Sequence, residues 1–455
     1  MTTSADASPH RPSSVGFSEA LAFWFKLGWV SFGGPAGQIA LMHAELVERR
    51  RWISEKRFLH ALNYCMVLPG PEAQQLATYI GWLMHKSWGG VVAGALFVLP
   101  SLFILIALSW IYMAWGDLPV VAGVFYGIKP AVTAIVVQAA HRIGSRALKG
   151  AGLWAIAVAS FLAIFALDVP FPVIVLMAAL TGFVWGRVAP HAFKAGAGHG
   201  AKHATQGPAI IDDDTPTPVH ARFTWPRLMT VLLVGAGLWA VPMALLTLSL
   251  GWDHALTQMG WFFTKAALLT FGGAYAVLPY VYQGAVTHHG WLSPTQMMDG
   301  LALGETTPGP LIMVVAFVGF VGGYVKALFG PESLFLAGAV AATLVTWFTF
   351  LPSFIFILAG GPLVESTHND LKFTAPLTAI TAAVVGVILN LALFFGYHVL
   401  WPHGITGRLD WVAGAIALGA AVALFRFKRS VIQVIVGCGI LGLAISLLGR
   451  GPAGM

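Results

Sequence analysis

Long apolar stretches alternate with short polar ones along almost the whole chain. A membrane-crossing helix needs about 20 predominantly apolar residues. In the first half, stretches that could cross or enter a bilayer cover 17–42, 58–85, 88–115, 119–140, 150–167 and 171–188. In the second half, they cover 227–250, 256–284, 296–326, 331–360, 371–399, 409–425 and 430–449. The pattern predicts an all-α polytopic membrane protein.

Residues 189–226 interrupt this pattern. They contain histidines, lysines and arginines, an Asp212-Asp213-Asp214 run and Thr-Pro repeats, a composition typical of a disordered, solvent-exposed linker. His199 and His203 stand four residues apart, but no further metal ligands accompany them, so a metal site is not expected.

The chain therefore divides into six parts. These are a disordered N-terminus (1–16), a first membrane repeat (17–188), a cytoplasmic linker (189–226), a connecting membrane helix (227–255), a second membrane repeat (256–400) and C-terminal membrane helices (401–455). The polar N-terminus lacks the basic start, short apolar run and cleavage site of a secretory signal.

Composition agrees with membrane insertion. The chain is 58% hydrophobic and 9% charged, with a mean hydropathy of +0.79, whereas soluble domains are roughly 25% charged. The net charge of +7 is explained by the Lys and Arg surplus of cytoplasmic loops, and no basic aromatic patch indicates nucleic-acid binding. Cys65 and Cys438 form no CxxC motif, so neither a disulfide framework nor a zinc site is expected. Protease and ATPase motifs are absent, and no cofactor is implied.

The two membrane repeats share a set of motifs at a constant spacing. Phe32-Gly33-Gly34 recurs 239 residues later as Phe271-Gly272-Gly273, and Pro69-Gly70-Pro71 recurs as Pro308-Gly309-Pro310. Farther along, Leu99-Pro100-Ser101 matches Leu351-Pro352-Ser353 at a spacing of 252. Such agreement indicates an internal duplication of a long unit rather than a short solenoid repeat.

Loop charges predict that the two repeats are inverted relative to each other. The segment 45–57 carries a run of Arg and Lys residues, whereas its counterpart 287–292 has no Lys or Arg. The first should be cytoplasmic and the second external, which is the arrangement of inverted-repeat transporters. The basic loops share one side only if 17–42 and 58–85 each enter and leave on the same face. We therefore expect two broken or re-entrant elements per repeat and eight or nine full spans elsewhere.

The helix-breaking motifs are the candidate substrate site. Broken helices at membrane depth leave free backbone amides, and a helix N-terminus with free N–H groups attracts anions. The alternative is that these small residues only permit kinks or close packing. The predicted cage of amides and hydroxyls consists of Ser31, Gly33, Gly34, Pro35, Pro69, Gly70, Pro71, Thr270, Gly272, Gly273, Thr307, Pro308, Gly309 and Pro310.

Charged residues within apolar runs are costly and commonly mark function. Lys26 and Lys265 each lie six residues before a Phe-Gly-Gly motif, so they are predicted to supply positive charge at the centre; Lys26 could instead snorkel to the interface. Glu72 and Glu305 are candidates for binding a coupling proton, although Glu72 could simply cap its half-helix. Lys129 and Asp299 are further charged residues inside apolar runs.

These motifs, the Trp-Ile-Ser loop at 52–54 and the two-copy arrangement resemble the chromate ion transporter family in its long, two-domain form. The resemblance covers about 17–190 and 256–400. It implies a bacterial inner-membrane protein that exports chromate and confers resistance, using the membrane potential or a proton gradient. The second copy departs from the first, with Ala274 in place of Pro35 and Thr306-Thr307 in place of Val67-Leu68.

Two alternatives stay open at this point. Chromate and sulfate are both tetrahedral dianions, so the residues alone do not separate a chromate transporter from a transporter of sulfate or another oxyanion. An integral membrane enzyme acting on a lipid or redox substrate would instead place its catalytic residues in an asymmetric pocket. The sequence leaves the coupling ion and a homodimeric assembly undetermined.

Overall fold

The computed structural model describes residues 15–188, 208–366, 374–402, 404 and 406–448. Within these ranges the regular structure is helical apart from one isolated β-bridge between Ile53 and Ile211. The predicted all-α class is confirmed. The predicted disordered N-terminus falls mainly on residues 1–14, and His199 and His203 fall on 189–207; both stretches lie outside the described residues.

The first repeat begins with two broken helices. Helices α1 (Phe17–Val30) and α2 (Gly34–His43) flank the first break, and α3 (Glu55–Val67) and α4 (Glu72–Trp115) flank the second. At about 1.5 Å per residue, α1 is too short to cross a hydrocarbon layer about 30 Å thick. The φ angles in the breaks are positive, at 90° for Gly33, 70° for Gly34 and 129° for Gly70. Residues other than glycine rarely adopt such angles.

Both broken helices of the first repeat return to the face from which they enter. The Glu19 carboxylate near the start of α1 lies 3.6 Å from the Arg50 guanidinium just beyond α2. In the second hairpin, Arg57 near the start of α3 and Tyr79 near the end of the first arm of α4 both bind Glu365. We call the side of the molecule that carries Arg50, Arg57 and Glu365 face A.

Helix α4 contains a reversal of direction. His85 and Lys86 have non-helical backbone angles, and beyond them the chain packs back on itself, since a Cβ on Gly89 would lie 2.3 Å from the carbonyl oxygen of Gly81. The first arm of α4 thus belongs to the hairpin, while the segment from about 87 to Trp115 crosses to the other side, face B. Asp117, which follows it, lies on face B.

Four further helices complete the passage from the first repeat to the second. They cross alternately between the faces and are α5 (Pro119–Ala147), α6 (Ala151–Leu167), α7 (Phe171–Val188) and α8 (Trp225–Leu250).

The second repeat has the same elements in the opposite orientation. Its broken helices are α9 (Ala255–Leu268) with α10 (Ala274–Tyr282), and α11 (Pro294–Thr306) with a 3-10 turn and α12 (Val314–Val325). Both pairs start and end on face B. Tyr112, at the face B end of α4, donates a hydrogen bond to Asp299 near the start of α11, and Trp110 contacts Tyr324 at the end of α12. The predicted inversion of the repeats is confirmed.

The remaining helices cross between the faces. They are α13 (Leu334–Ser366), α14 (Thr374–Leu400), α15 (Trp411–Phe425) and α16 (Val431–Leu447). Among the described residues, six helices are long and apolar enough to span a membrane, and α6, α15 and α16 are shorter apolar helices. The chain crosses between face A and face B nine times within the described residues. The crossings are the second segment of α4, helices α5 to α8 and helices α13 to α16. This is the upper value of the predicted eight or nine spans.

The predicted disordered linker is wrong for its second part. The backbone N–H of Ser54 donates to the carbonyl oxygen of Ile211 (2.9 Å), the Ser54 hydroxyl donates to Asp213 (2.6 Å), and Arg57 donates to the carbonyl oxygen of Thr215 (2.7 Å). Ile211 is buried in the core of the first repeat. Its apolar side chain, together with an aspartate that finds a hydroxyl partner, anchors this segment against the hairpin loops on face A.

Candidate functional site

The four helix breaks meet in two hydrogen bonds that join the repeats. The amide of Gly70 donates to the carbonyl oxygen of Thr270 (2.7 Å), and the amide of Gly309 donates to the carbonyl oxygen of Ser31 (2.8 Å). Each Pro-Gly-Pro motif thereby closes the Phe-Gly-Gly break of the other repeat. Unpaired backbone groups at this depth would cost several kcal/mol each, so the two bonds bind the repeats together at their centre. We call this pair of bonds the central clamp.

Packing behind the central clamp leaves little room for a larger residue at either glycine. A Cβ on Gly70 would lie 2.4 Å from the Ser353 hydroxyl, and one on Gly309 would lie 3.0 Å from the Cβ of Ser101. Ser101 and Ser353 are themselves repeat partners at the spacing of 252. Close packing and positive φ angles of 129° and 101° together explain why glycine occupies both positions.

Buried glutamines reinforce the clamp in the first repeat only. The Gln38 side-chain amide donates to the carbonyl oxygens of Gly309 (2.5 Å) and Ser31 (3.2 Å), and Gln75 donates to the carbonyl oxygen of Pro69 (2.8 Å). The equivalent positions of the second repeat are Val277 and Val314. The sequence analysis did not single out these glutamines, although a polar amide inside an apolar run was a usable signal.

Five members of the predicted cage of amides and hydroxyls have their amide or hydroxyl engaged within the protein. The Gly70 and Gly309 amides are engaged in the central clamp, and the hydroxyls of Ser31, Thr270 and Thr307 donate to carbonyl oxygens of their own helices at Leu27, Ala266 and Gly304. The Pro-Gly-Pro segments accordingly serve to close the breaks. The physical reason is that backbone of the opposite repeat satisfies groups that the sequence alone leaves without partners.

A cavity of about 800 Å³ lies beside the central clamp and receives break residues from both repeats. The first repeat contributes Pro35 and Ala36 at the start of α2. The second contributes Phe271, Gly272, Gly273, Ala274 and Tyr275. The cavity reaches face A, where His43, Glu48 and the C-terminal end of α5 line it. Of the predicted motifs, the Phe-Gly-Gly breaks are thus placed at a cavity, and the Pro-Gly-Pro breaks behind it.

Three cationic side chains line this face A cavity. Arg142 and Arg146 lie one turn apart on α5, and Lys149 follows its end. In the part of the chain that the structure describes, Arg142 and Arg146 form no salt bridge. His43, also at the cavity, is instead paired with Glu48 (3.2 Å). No pattern along the chain identifies this cluster as a site.

Both candidate coupling acids converge on the same cavity. Glu72 lines it directly, and Glu305 accepts a hydrogen bond from Tyr275, which also lines it. Arg142 interacts electrostatically with Glu305. The two acids occupy non-equivalent repeat positions, yet Glu72 lies in the cavity wall and Glu305 lies directly behind Tyr275 of the same wall.

The structure does not bring the two predicted lysines to the face A cavity. Lys26 is exposed on α1, and it is absent from the lining of the face A cavity. Lys265 is also exposed, and it lines a separate cavity of about 1070 Å³ together with His288 and His289 of the loop on face B. Its ammonium lies 5.6 Å from the centre of the Trp261 ring. Spacing along a helix sets distance from a break, but not which side of the helix faces the centre.

The face B cavity is the inverted counterpart of the face A cavity. Tyr282 and Thr287, which line it, correspond to His43 and Glu48, and Phe394 corresponds to Arg142 at the spacing of 252. An aromatic ring thus replaces a guanidinium. The two cavities approach the breaks from opposite faces, and of these two only the face A cavity is lined by residues at the starts of both α2 (Pro35) and α10 (Ala274).

Comparison with known proteins gives a consistent result. The family model described as Chromate transporter matches residues 18–183 and 257–443, which correspond to the two repeats and the helices that follow. A "Chromate transport protein" of Pseudomonas aeruginosa is 33% identical over 440 residues, covering 95% of this chain and 93% of the relative.

Other relatives carry similar descriptions. A "Chromate transport protein" of Cupriavidus metallidurans is 28% identical and covers 97% of this chain and 96% of its own length. A "Probable chromate transport protein" of Synechococcus elongatus is 26% identical and covers 86% and 88%, respectively. No solved structure matches the chain significantly.

Proposed function

The chain belongs to the chromate transporter family, and from that premise we propose that it is a secondary transporter that exports chromate across the bacterial inner membrane and so confers chromate resistance. The observation that carries the proposal is the face A cavity, in which Arg142, Arg146 and Lys149 surround a space that ends at the helix breaks of both repeats. A cavity that carries three cationic side chains and reaches a pseudo-twofold centre suits a small dianion.

The charge distribution supports export as the direction. Face A carries basic clusters, among them Arg49, Arg50 and Arg51 after α2 and Arg426, Lys428 and Arg429 after α15. Face B carries acidic residues at connections between helices, including Asp117, Asp168 and Asp410. Surplus Lys and Arg mark cytoplasmic loops, so face A is cytoplasmic. The cavity then opens toward the compartment from which chromate must be removed.

The membrane potential is sufficient to drive a dianion outward. Each elementary charge gains about 2.3 kcal/mol per 100 mV, so an anion with two charges gains about 4.6 kcal/mol per 100 mV when it leaves a negative interior. The arginines therefore need to capture chromate from dilute cytoplasmic solution, while the potential moves it across. ATP hydrolysis is not required by this balance.

The two cavities suggest how access alternates. In the described conformation the face A cavity reaches both Phe-Gly-Gly breaks, whereas the face B cavity contacts Leu268 and Leu269 at the end of α9. Rocking of the hairpins about the central clamp would exchange the two accesses, as inverted repeats permit. Lys265 would then meet the anion on its way out.

The test is chromate flux in proteoliposomes with the purified protein at controlled membrane potential and pH gradient, with sulfate as competitor. We expect saturable chromate flux that follows an imposed potential and that excess sulfate inhibits weakly. If sulfate is moved and chromate only competes, the substrate is sulfate. If neither anion is transported under any gradient, the transport proposal fails and the result favours an integral membrane enzyme.

A further inference from the structure

A third cavity, also on face B, holds an ion pair between a buried aspartate and a partly exposed lysine, which the proposed chromate path does not use. It has a volume of about 920 Å³ and lies between α4, α5, α11, α14 and the loop before α15. In its wall, the Lys129 ammonium lies 3.4 Å from Oδ2 of Asp299, and the Tyr112 hydroxyl donates to the same oxygen at 2.8 Å. Asp299 is only 1% exposed.

The second carboxylate oxygen of Asp299 is unsatisfied. Within the described residues, Oδ1 is buried and has no hydrogen-bond partner, a state that costs free energy for an ionised carboxylate. The helix next to Lys129 also lacks one backbone hydrogen bond. Because Pro130 has no N–H, it cannot donate to the carbonyl oxygen of Tyr126 one turn earlier. A buried carboxylate that lies beside a cavity and has one oxygen without a hydrogen-bond partner is a site where a proton could bind and neutralise the charge.

Helix α11 connects this pair to the substrate cavity. Asp299 and Glu305 lie six residues apart on α11, or about 9 Å along its axis. Their side chains point to different sides, since Asp299 lines the third cavity and Glu305 accepts a hydrogen bond from Tyr275 at the face A cavity. Four residues beyond Glu305, Gly309 forms its half of the central clamp.

We propose that Asp299, paired with Lys129, is the proton-binding site on face B, and that α11 links it to Glu305 and to the central clamp. The proposal rests on the proposed transport function and specifies its coupling. A proton taken from the face B side binds Oδ1 and converts the carboxylate to a neutral acid, while Lys129 keeps its charge. Loss of the ion pair loosens α11 from α5. The proton then passes from Asp299 to the Glu305 carboxylate, which releases it toward the face A cavity, so that the Asp299–Lys129 pair re-forms and both carboxylates return to their starting state.

Proton binding rather than metal binding follows from the charges around the carboxylate. Lys129 occupies the position that a metal cation would need, and like charges repel. The other ionisable groups of the cavity are Asp117 after α4, Tyr126 on α5, His398 on α14, and Arg408 and Asp410 before α15. Asp410 is already engaged, because Tyr126 donates to both of its oxygens. Helices α12 and α16 carry no charged side chain.

The test compares Asp299→Asn with Asp117→Asn in proteoliposomes. Asp117 has the same side chain and lines the same cavity, but it is exposed. At zero potential, we expect Asp299→Asn to reduce chromate flux driven by a pH gradient at least tenfold and to keep most of the flux driven by potential at uniform pH. Asp117→Asn should match the wild type in both. A wild-type response to the pH gradient in Asp299→Asn would overturn the proposal.

Infrared titration of the carboxyl C=O band separates this proposal from the transport function. We expect a titrating carboxyl band in the wild type that is absent in Asp299→Asn, whether or not chromate is moved; an unchanged band overturns the assignment. If Asp299→Asn does not yield folded protein, Tyr112→Phe removes one hydrogen bond to the carboxylate and should shift the midpoint of the same titration. An unshifted midpoint would then contradict the proposal.

Discussion

Removal of the Arg142 guanidinium is the most direct perturbation of the face A cavity. A hydrogen bond to a charged group contributes about 1.5–3 kcal/mol, and each 1.4 kcal/mol is a tenfold change in affinity. Arg142 is exposed to the open cavity, so solvent screening places the effect at the lower end of this range. We expect Arg142→Gln to raise the KM for chromate about tenfold.

The electrostatic link to Glu305 adds a second consequence. Because Arg142 interacts with Glu305, its loss should also alter how the flux responds to a pH gradient. Arg142→Lys keeps the charge but not the planar, bidentate donor geometry, so it should give an intermediate KM. The kinetics of Arg142→Gln then separate lost substrate binding from lost coupling.

The assay is the initial rate of radiolabelled chromate uptake into everted membrane vesicles over a range of concentrations. Arg187→Gln is the matched control, since Arg187 ends α7 on the same face, stacks on Phe183 at 4.1 Å and lies outside the cavity lining. Both variants lose one positive charge from face A. If their KM values are equal, the effect is one of general surface charge, and the assignment of Arg142 to the substrate site is refuted.

Three further predictions follow from the breaks, the lysines and the inversion. Gly70→Ala and Gly309→Ala should each destabilise the protein by about 1–3 kcal/mol through strain at a positive φ angle, which would be measured as a lower Tm in detergent. Gly237→Ala is the control, because the space around its Cβ position is open, and it should not lower the Tm. Equal Tm values for the three variants would contradict the central clamp. Lys26→Ala should leave chromate export near the wild-type rate, because Lys26 lies outside the cavity lining, whereas Lys265→Ala should slow uptake from face B. Loss of export in Lys26→Ala would support the role for Lys26 that the sequence predicts. Arg50→Cys and His289→Cys should react with an impermeant thiol reagent from opposite sides of the membrane, and labelling from one side would refute the inversion.

Several features of the architecture follow from local chemistry that is visible in the sequence. The breaks at Gly33-Gly34 and Gly70 are predictable because glycine and proline disrupt helices wherever they occur together. The inversion is predictable because one hairpin loop is strongly basic and its repeat partner is not. The disordered linker was predicted wrongly from 208 onward, because polar composition does not show that Ile211 finds an apolar site.

The candidate site was less accessible to such reasoning. Gly70 and Gly309 were expected to offer amides to a ligand, but each amide pairs with the opposite repeat. Arg142 and Arg146 were not among the predicted site residues, because nothing along the chain shows that the end of α5 borders the breaks. Lys26 was placed at the centre because its spacing repeats, although its side chain faces outward.

The sequence by itself determined the membrane class, the duplication, the positions of the four breaks and the orientation of the repeats, since each depends on composition, spacing or local backbone preference. Only the tertiary structure decided which groups close the breaks, which cations reach the cavity, and how Glu72 comes to line it while Glu305 binds Tyr275 of its wall. Those relations join residues about 70 to 280 positions apart, such as Glu305 with Arg142 and Gly309 with Ser31. They depend on how inverted hairpins pack against each other, a geometry that no local pattern encodes.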